Sequence, residues 1–166
     1  IRRIHIEEDA GKLLREGNTI HIDYNRCGVP LIEIVTEPDI RSPEEAREYV
    51  EELQKMLRYL GISDCRMQEG SLRCDVNLSM RRKGESALGQ RTEIKNMNSL
   101  SNMVKAMEYE AERQKCLLEK GIPVRRETLR FDVSSGRTEL MRGKEDLDDY
   151  RYFPEPDVPP IRLTKY

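Results

Sequence analysis

Three acidic residues follow a histidine near the start of the chain, His5-x-Glu7-Glu8-Asp9. A further carboxylate, Glu33, stands in the middle of the apolar run Leu31–Val35. Acids packed this closely repel unless a cation sits among them. Magnesium and calcium take carboxylate oxygens, and a histidine can join the set. An ionised carboxylate in an apolar strand is costly to bury unless it meets a base or a cation. Glu33 therefore either pairs with a base, with Arg73 and Arg91 as candidates, or ligates a metal. The plain alternative for the His5–Asp9 run is a solvated strand end.

Three further sets could carry chemistry. In Arg73-Cys74-Asp75-Val76-Asn77, strand alternation puts Arg73, Asp75 and Asn77 on one face. Asp with Asn is an oxygen-ligand pair and Arg suits phosphate; the alternative is cross-strand pairing with Arg91, Glu93 and Lys95. In Thr92-Glu93-Ile94-Lys95-Asn96-Met97-Asn98-Ser99 a strand runs straight into a helix start, either an anion site or simple capping. Met141-Arg142-x-Lys144-Glu145 and Asp149–Asp157 interleave aromatics with basic residues, suiting either base stacking or packing onto a sheet. Taken together, these sets favour a metal-assisted phosphate site. The sequence holds no G-x-x-x-x-G-K-[ST], G-x-G-x-x-G or G-x-S-x-G motif, so any nucleotide would sit in a less common cradle.

The elements that must position these residues follow from periodicity. Ile4 and Ile6 alternate with polar neighbours, Thr19–Tyr24 alternates again, and Leu31–Thr36 is a third strand; a turn or short helix is expected over Ala10–Gly17. Ser42-Pro43-Glu44-Glu45 opens a helix with the stripe Ala46, Val50, Leu53, Leu57 and Leu60, ending at Gly61. A second helix runs from Ser99 or Ser101 to Lys120, with the stripe Leu100, Val104, Met107, Ala111 and Leu118. Between them lies a hairpin of Ser71–Met80 and Arg91–Asn96 with a mobile tip at Gly84–Gly89. Another hairpin follows, Thr128–Val133 with Arg137–Arg142. The expected fold is α+β: an antiparallel sheet with the two main helices packed on one face. The other face is polar and catalytic, carrying His5, Glu7, Arg73, Asp75, Asn77, Arg91, Glu93 and Lys95.

The 166 residues suffice for one domain with a real core. A formal net charge of −2, from 29 basic against 31 acidic residues, confines any nucleic-acid contact to local patches. Four cysteines without C-x-x-C spacing, and two histidines, argue against structural zinc and for a reduced compartment. No apolar run approaches membrane-spanning length. The chain opens at Ile1 in what reads as a strand and ends after a proline-rich turn, so it is expected to be part of something longer.

His5–Lys12, Asp23–Asp39, Gly70–Asn77, Thr92–Asn96 and Asp149–Pro160 together resemble the B subunits of the glutamyl-/aspartyl-tRNA amidotransferases, over nearly the whole chain. The resemblance implies a ligase that forms a C–N bond with glutamine as amido donor. It converts Glu-tRNA(Gln), and in many cases Asp-tRNA(Asn), to Gln-tRNA(Gln) and Asn-tRNA(Asn). The A subunit releases ammonia, the B subunit phosphorylates the side-chain carboxylate using ATP and magnesium, and the C subunit ties the two together. The resemblance implies Glu7 or Glu8, Glu33 and Asp75 as magnesium ligands, with Asn77 and Glu93 behind them. Arg73, Arg91 and Lys95 would hold phosphate or substrate, and His5 would act as ligand or orienter. It further implies that residues 1–166 are a fragment of the catalytic domain, lacking an N-terminal part and the C-terminal helical and tail domains and inactive alone. Its setting would be the cytoplasm or an organellar matrix. The competing readings are a non-catalytic RNA-binding module and a scaffold that docks the A subunit.

Overall fold

In the computed structural model the described residues are 1–143, so the segment Asp149–Asp157 and the proline-rich exit at Pro154–Pro160 lie outside them. The chain divides into two compact units, Ile1–Ala46 and the part from Arg47 onward.

The first unit is built from two antiparallel ladders. Strand β1 (Arg3–Glu8) pairs with β4 (Pro30–Val35), and β2 (Lys12–Glu16) pairs with β3 (Thr19–Asp23). The stretch expected to be a turn or short helix is therefore mostly strand. Lys12–Glu16 finds its partner across a two-residue loop, and Gly17 at the first loop position takes the positive φ of 59° that such a turn needs. Asp9 closes the unit rather than adding to an acidic cluster. Its side chain is buried; one carboxylate oxygen accepts the Gly11 N–H at 2.9 Å, and the other lies 3.6 Å from Arg26 Nε. Ile4, Ile6 and Ile32 on one ladder, and Leu13, Ile20 and Ile22 on the other, remain exposed.

The second unit, which begins within the first helix, carries most of the core. Helix α1 (Pro43–Tyr59) starts where the sequence signals it, with Ser42 Oγ accepting the Glu45 N–H at 3.1 Å. Glu45 reaches back one residue further than in a standard capping box, to the Arg41 N–H at 2.6 Å. The helix ends with Ile62 N–H on Leu57 O and Gly61 N–H on Arg58 O, so Leu60 is an exposed cap residue instead of a core residue. Ala46, Val50 and Leu57 are buried. The loop that follows is tied back to α1: Gln54 Nε2 donates to Cys65 O at 3.2 Å and Arg58 Nε to Asp64 O at 2.8 Å. These contacts hold Cys65 buried at a φ of 54°.

A four-stranded sheet follows, in the order β5 (Val76–Leu78), β6 (Thr92–Lys95), β7 (Glu127–Asp132), β8 (Arg137–Gly143). Two expectations change here. The sheet is mixed, because β6 and β7 run parallel: helix α2 (Leu100–Glu119) lies between them and returns the chain to the same end, as parallel neighbours require. And the Ser71–Met80 strand contracts to three residues. Its partner β6 has only four, and the chain turns away at Asn96 with a φ of 64°, so residues 71–75 have no ladder opposite them. Their side chains still alternate, with Leu72, Cys74 and Val76 half-buried and Arg73, Asp75 and Asn77 exposed. On the β5–β6 connection, a Cβ at Gly89 would lie 2.0 Å from Met80 O, so only glycine fits that approach.

Helix α2 is capped by Ser99, whose Oγ accepts the Asn102 N–H at 3.1 Å. Its buried face is Met103, Ala106, Met107, Glu110 and Gln114, rotated from the expected stripe; Leu118 is exposed. It packs on the sheet face that presents Thr92, Ile94, Leu129 and Phe131. Glu110 is fully buried within this apolar layer. Its carboxylate accepts from Arg113 Nε at 2.8 Å, Thr92 Oγ1 at 2.9 Å, Gln114 Nε2 at 2.9 Å and Thr138 Oγ1 at 3.2 Å. Burial pushes its pKa up, but the bonds from Arg113, Gln114 and Thr92 outweigh that and hold it below its ordinary value.

Glu110→Ala strands the Arg113 charge and the hydroxyl donors, and is expected to lower unfolding free energy by about 3 kcal/mol. Because the carboxyl of Glu110 is held below its ordinary 4.5, its contribution is complete above that pH and drains away as pH falls. Urea unfolding at pH 7 and pH 3 should show the gap between wild type and Glu110→Gln closing at the lower pH.

Candidate active site

The β1–β4 register places His5 directly opposite Glu33, and Glu7 two residues on shares their face. His5 Nδ1 lies 3.8 Å from Glu33 Oε2, and one donor atom from each of His5, Glu7 and Glu33 falls within 4.8 Å of the others. Alternation turns Glu8 to the opposite face, so Glu7 is the acid of that pair that joins the group. Glu33 is not the buried carboxylate that its apolar neighbours suggested. Its side chain is 52% exposed, because the two-stranded ladder leaves that face open, and within its own unit the basic group beside it is His5. Two carboxylates and an imidazole are a hard, oxygen-rich donor set. Ligand atoms around magnesium at its usual distance lie about 3–4 Å apart, so small side-chain rotations would let this set close on such an ion.

A second constellation lies on the outer face of the four-stranded sheet. Glu93 and Lys95 alternate outward from β6 while Thr92 and Ile94 point to the helix. Lys95 Nζ lies 2.8 Å from Asp75 Oδ2 and 3.4 Å from Glu93 Oε1, and Glu93 Oε2 accepts from Thr128 Oγ1 at 3.1 Å. Asn77 stands opposite Glu93 in the register, and Arg73 and Arg91 are exposed. Burial pulls the Lys95 pKa down, but the hydrogen bond and charge of Asp75 and the charge of Glu93 outweigh it and hold it above its ordinary value. Lys95 is thus a firm cation braced by two carboxylates. A partly exposed pair of this kind contributes about 1 kcal/mol or less, so Lys95 can exchange Asp75 for an anionic group at little cost.

The residues expected on one polar face come from two units of the chain. His5, Glu7 and Glu33 belong to the first unit's β1–β4 ladder. Arg73, Asp75, Asn77, Arg91, Glu93 and Lys95 belong to the second unit. Asp75 is engaged by Lys95, the cross-strand pairing that stood as the alternative to a ligand role. Among the described residues, His5, Glu7 and Glu33 form the grouping of metal-ligating side chains, and Asp75 is not part of it. Thr128 was missed in the sequence because nothing in it signals a parallel neighbour for β6. Glu110 was missed because a charged residue reads as outward-facing, although it follows Met103, Ala106 and Met107 at the spacing of one helix face.

Fold and site together define an α+β domain that displays a carboxylate–imidazole cluster and a carboxylate–lysine cluster on exposed strand faces. The chain belongs to the GatB/GatE catalytic domain family, whose sequence profile matches residues 1–166. It is similar to proteins named as the B subunit of aspartyl/glutamyl-tRNA(Asn/Gln) amidotransferase. The one from Caldicellulosiruptor saccharolyticus is 61% identical over 165 residues, covering 97% of this chain and 34% of that protein. The one from Carboxydothermus hydrogenoformans is 58% identical over 170 residues, covering 99% and 35%. The one from Gloeothece citriformis is 55% identical over 172 residues, covering 99% and 35%. The chain thus spans about a third of the length of the curated relatives it matches. No helix among the described residues is long and apolar enough to cross a membrane.

Cys74 sits beside Asp75 in surroundings that disfavour its thiolate. Burial, and then the Asp75 charge, push its thiol up to about 11, and its Sγ lies 3.5 Å from Met103 Sδ. Iodoacetamide at pH 8, followed by peptide mass spectrometry, should label exposed Cys27 well before Cys74 or buried Cys65.

Proposed function

We propose that the protein containing this chain amidates misacylated Glu-tRNA(Gln), Asp-tRNA(Asn) or both, and that residues 1–166 supply the part that activates the carboxylate. The observation that carries the proposal is the family match along all 166 residues. The two clusters support it because their chemistry suits the reaction. A carboxylate is a poor electrophile. Transfer of the ATP γ-phosphoryl group to it releases ADP and gives an acyl phosphate. Ammonia then attacks the carbonyl carbon and phosphate leaves, forming the amide.

His5, Glu7 and Glu33 are the residues of this chain that would hold magnesium. When bound, the ion would supply charge neutralisation and alignment for the transferring phosphoryl group. Lys95, kept protonated between Asp75 and Glu93, would neutralise charge developing on the phosphoryl oxygens; Arg73 and Arg91 would add bidentate contacts to phosphate or substrate. Asn77 supplies an amide beside Glu93. Asp75 would orient Lys95 or, on releasing it, offer its carboxylate to a divalent cation. An ammonia-releasing A subunit, the small C subunit, the tRNA and a cytoplasmic or organellar setting complete the proposal.

In the full-length B subunit, assembled with its partners, Asp75→Asn should lower ATP-dependent amidation while glutaminase activity persists; unchanged amidation would exclude Asp75 from the machinery. Glu33→Gln in the full-length protein should weaken Mn²⁺ binding by roughly tenfold or more, followed by the free-ion EPR signal. Superimposable titrations would remove the β1–β4 ladder from the proposal.

A further inference from the structure

Glu110 lies on the opposite side of the sheet from Asp75, Glu93 and Lys95, yet it reaches every strand that frames them. Thr92 Oγ1 on β6 donates to it directly at 2.9 Å, and Thr138 Oγ1 on β8 does so at 3.2 Å. Gln114 Nε2, which bonds Glu110 at 2.9 Å, also donates to Leu78 O on β5 at 3.2 Å and to Thr92 Oγ1 at 3.0 Å. Arg113 links it to β7 through Glu127 at 3.4 Å. Thr92, Glu110 and Gln114 are all fully buried.

The β5–β6 ladder is short, with the pairs Val76–Ile94, Asn77–Glu93 and Leu78–Thr92. A one-residue slip would turn Glu93 and Lys95 to the helix side. A two-residue slip would keep the face but carry Lys95 about 7 Å along the strand from Asp75. Three backbone pairs specify register weakly, and the side-chain ties are what pin both strands at the Leu78–Thr92 end to one helix. We infer that Glu110, acting through the Thr92 hydroxyl and Gln114, is a positioning residue that sets the β5–β6 register and so holds Lys95 between Asp75 and Glu93. This inference rests on the function proposed above for that face.

Thr138 provides the control. It donates to the same carboxylate, but β8 carries none of the residues assigned to the site. In the full-length B subunit within the assembled amidotransferase, with ammonium as nitrogen donor, Thr92→Val should lower kcat about tenfold while KM for ATP, ammonium and aminoacyl-tRNA stays within about twofold, since misplacement on the ångström scale acts on the chemical step. Thr92→Ser, which keeps the donor, should restore at least half the wild-type kcat. Thr138→Val should lower the melting temperature comparably and leave kcat within about twofold. Equal kcat losses for Thr92→Val and Thr138→Val would overturn the inference, as would an unaffected kcat in Thr92→Val or a failed rescue by Thr92→Ser. Should Thr92→Val fail to assemble, Glu110→Gln combined with Lys95→Met reads the same link. A loss no greater than that of Lys95→Met alone supports it, and additive losses overturn it. Wild-type rates in both Asp75→Asn and Lys95→Met would fail the proposed function itself. Losses in those variants with Thr92→Val unaffected would fail only the positioning role.

Discussion

An ionised carboxylate removed from water loses several kcal/mol of hydration, and only closely placed donors can return it. Glu110 meets that condition because hydroxyl, amide and guanidinium groups all converge on its two oxygens. The requirement runs in both directions. The sheet must bring Thr92 and Thr138 to the helix side, and the helix must present Glu110, Arg113 and Gln114 to the sheet. An apolar layer tolerates many packings, whereas these bonds form only when Glu110 and Gln114 face Thr92, so they favour one helix–sheet register even though Gln114 Oε1 meets no partner among the described residues.

The outer face of the same sheet inherits that precision. Because successive strand residues alternate, fixing Thr92 inward fixes Glu93 and Lys95 outward, and Thr128 on the parallel neighbour then meets Glu93. The inner bonds are buried and strong, while the outer pairs are half-exposed and weak. That division suits a surface whose charged groups must be held in place yet remain free to exchange partners with a substrate. The β1–β4 ladder works differently: His5, Glu7 and Glu33 owe their grouping to cross-strand register alone, with one face open to solvent.

Local patterns in the sequence led directly to several elements. Ser42 caps its helix as expected, Ser99 is the one of the two offered serines that caps the second, the β7–β8 hairpin falls within a residue of its predicted bounds, and the outward set Arg73, Asp75 and Asn77 survives even where no ladder forms. The errors share a cause. Lys12–Glu16 was misread because its strand character depends on a partner across Gly17, and the parallel β6–β7 pair depends on where α2 delivers the chain. The burial of Glu33 was overstated because an apolar neighbourhood in sequence does not say whether a second layer covers it.

From the residues alone came the α+β class, the helix boundaries, the chemical character of the candidate side chains and the family resemblance; each is written in types and spacings that neighbouring residues decide. Tertiary structure decided which acids meet: Glu7 and not Glu8 beside His5 and Glu33, Asp9 given to Arg26, Asp75 given to Lys95, and Glu110 drawn inside. Those outcomes turn on strand register and on which faces are covered, and both are set by contacts between residues far apart in the chain, which no local pattern encodes.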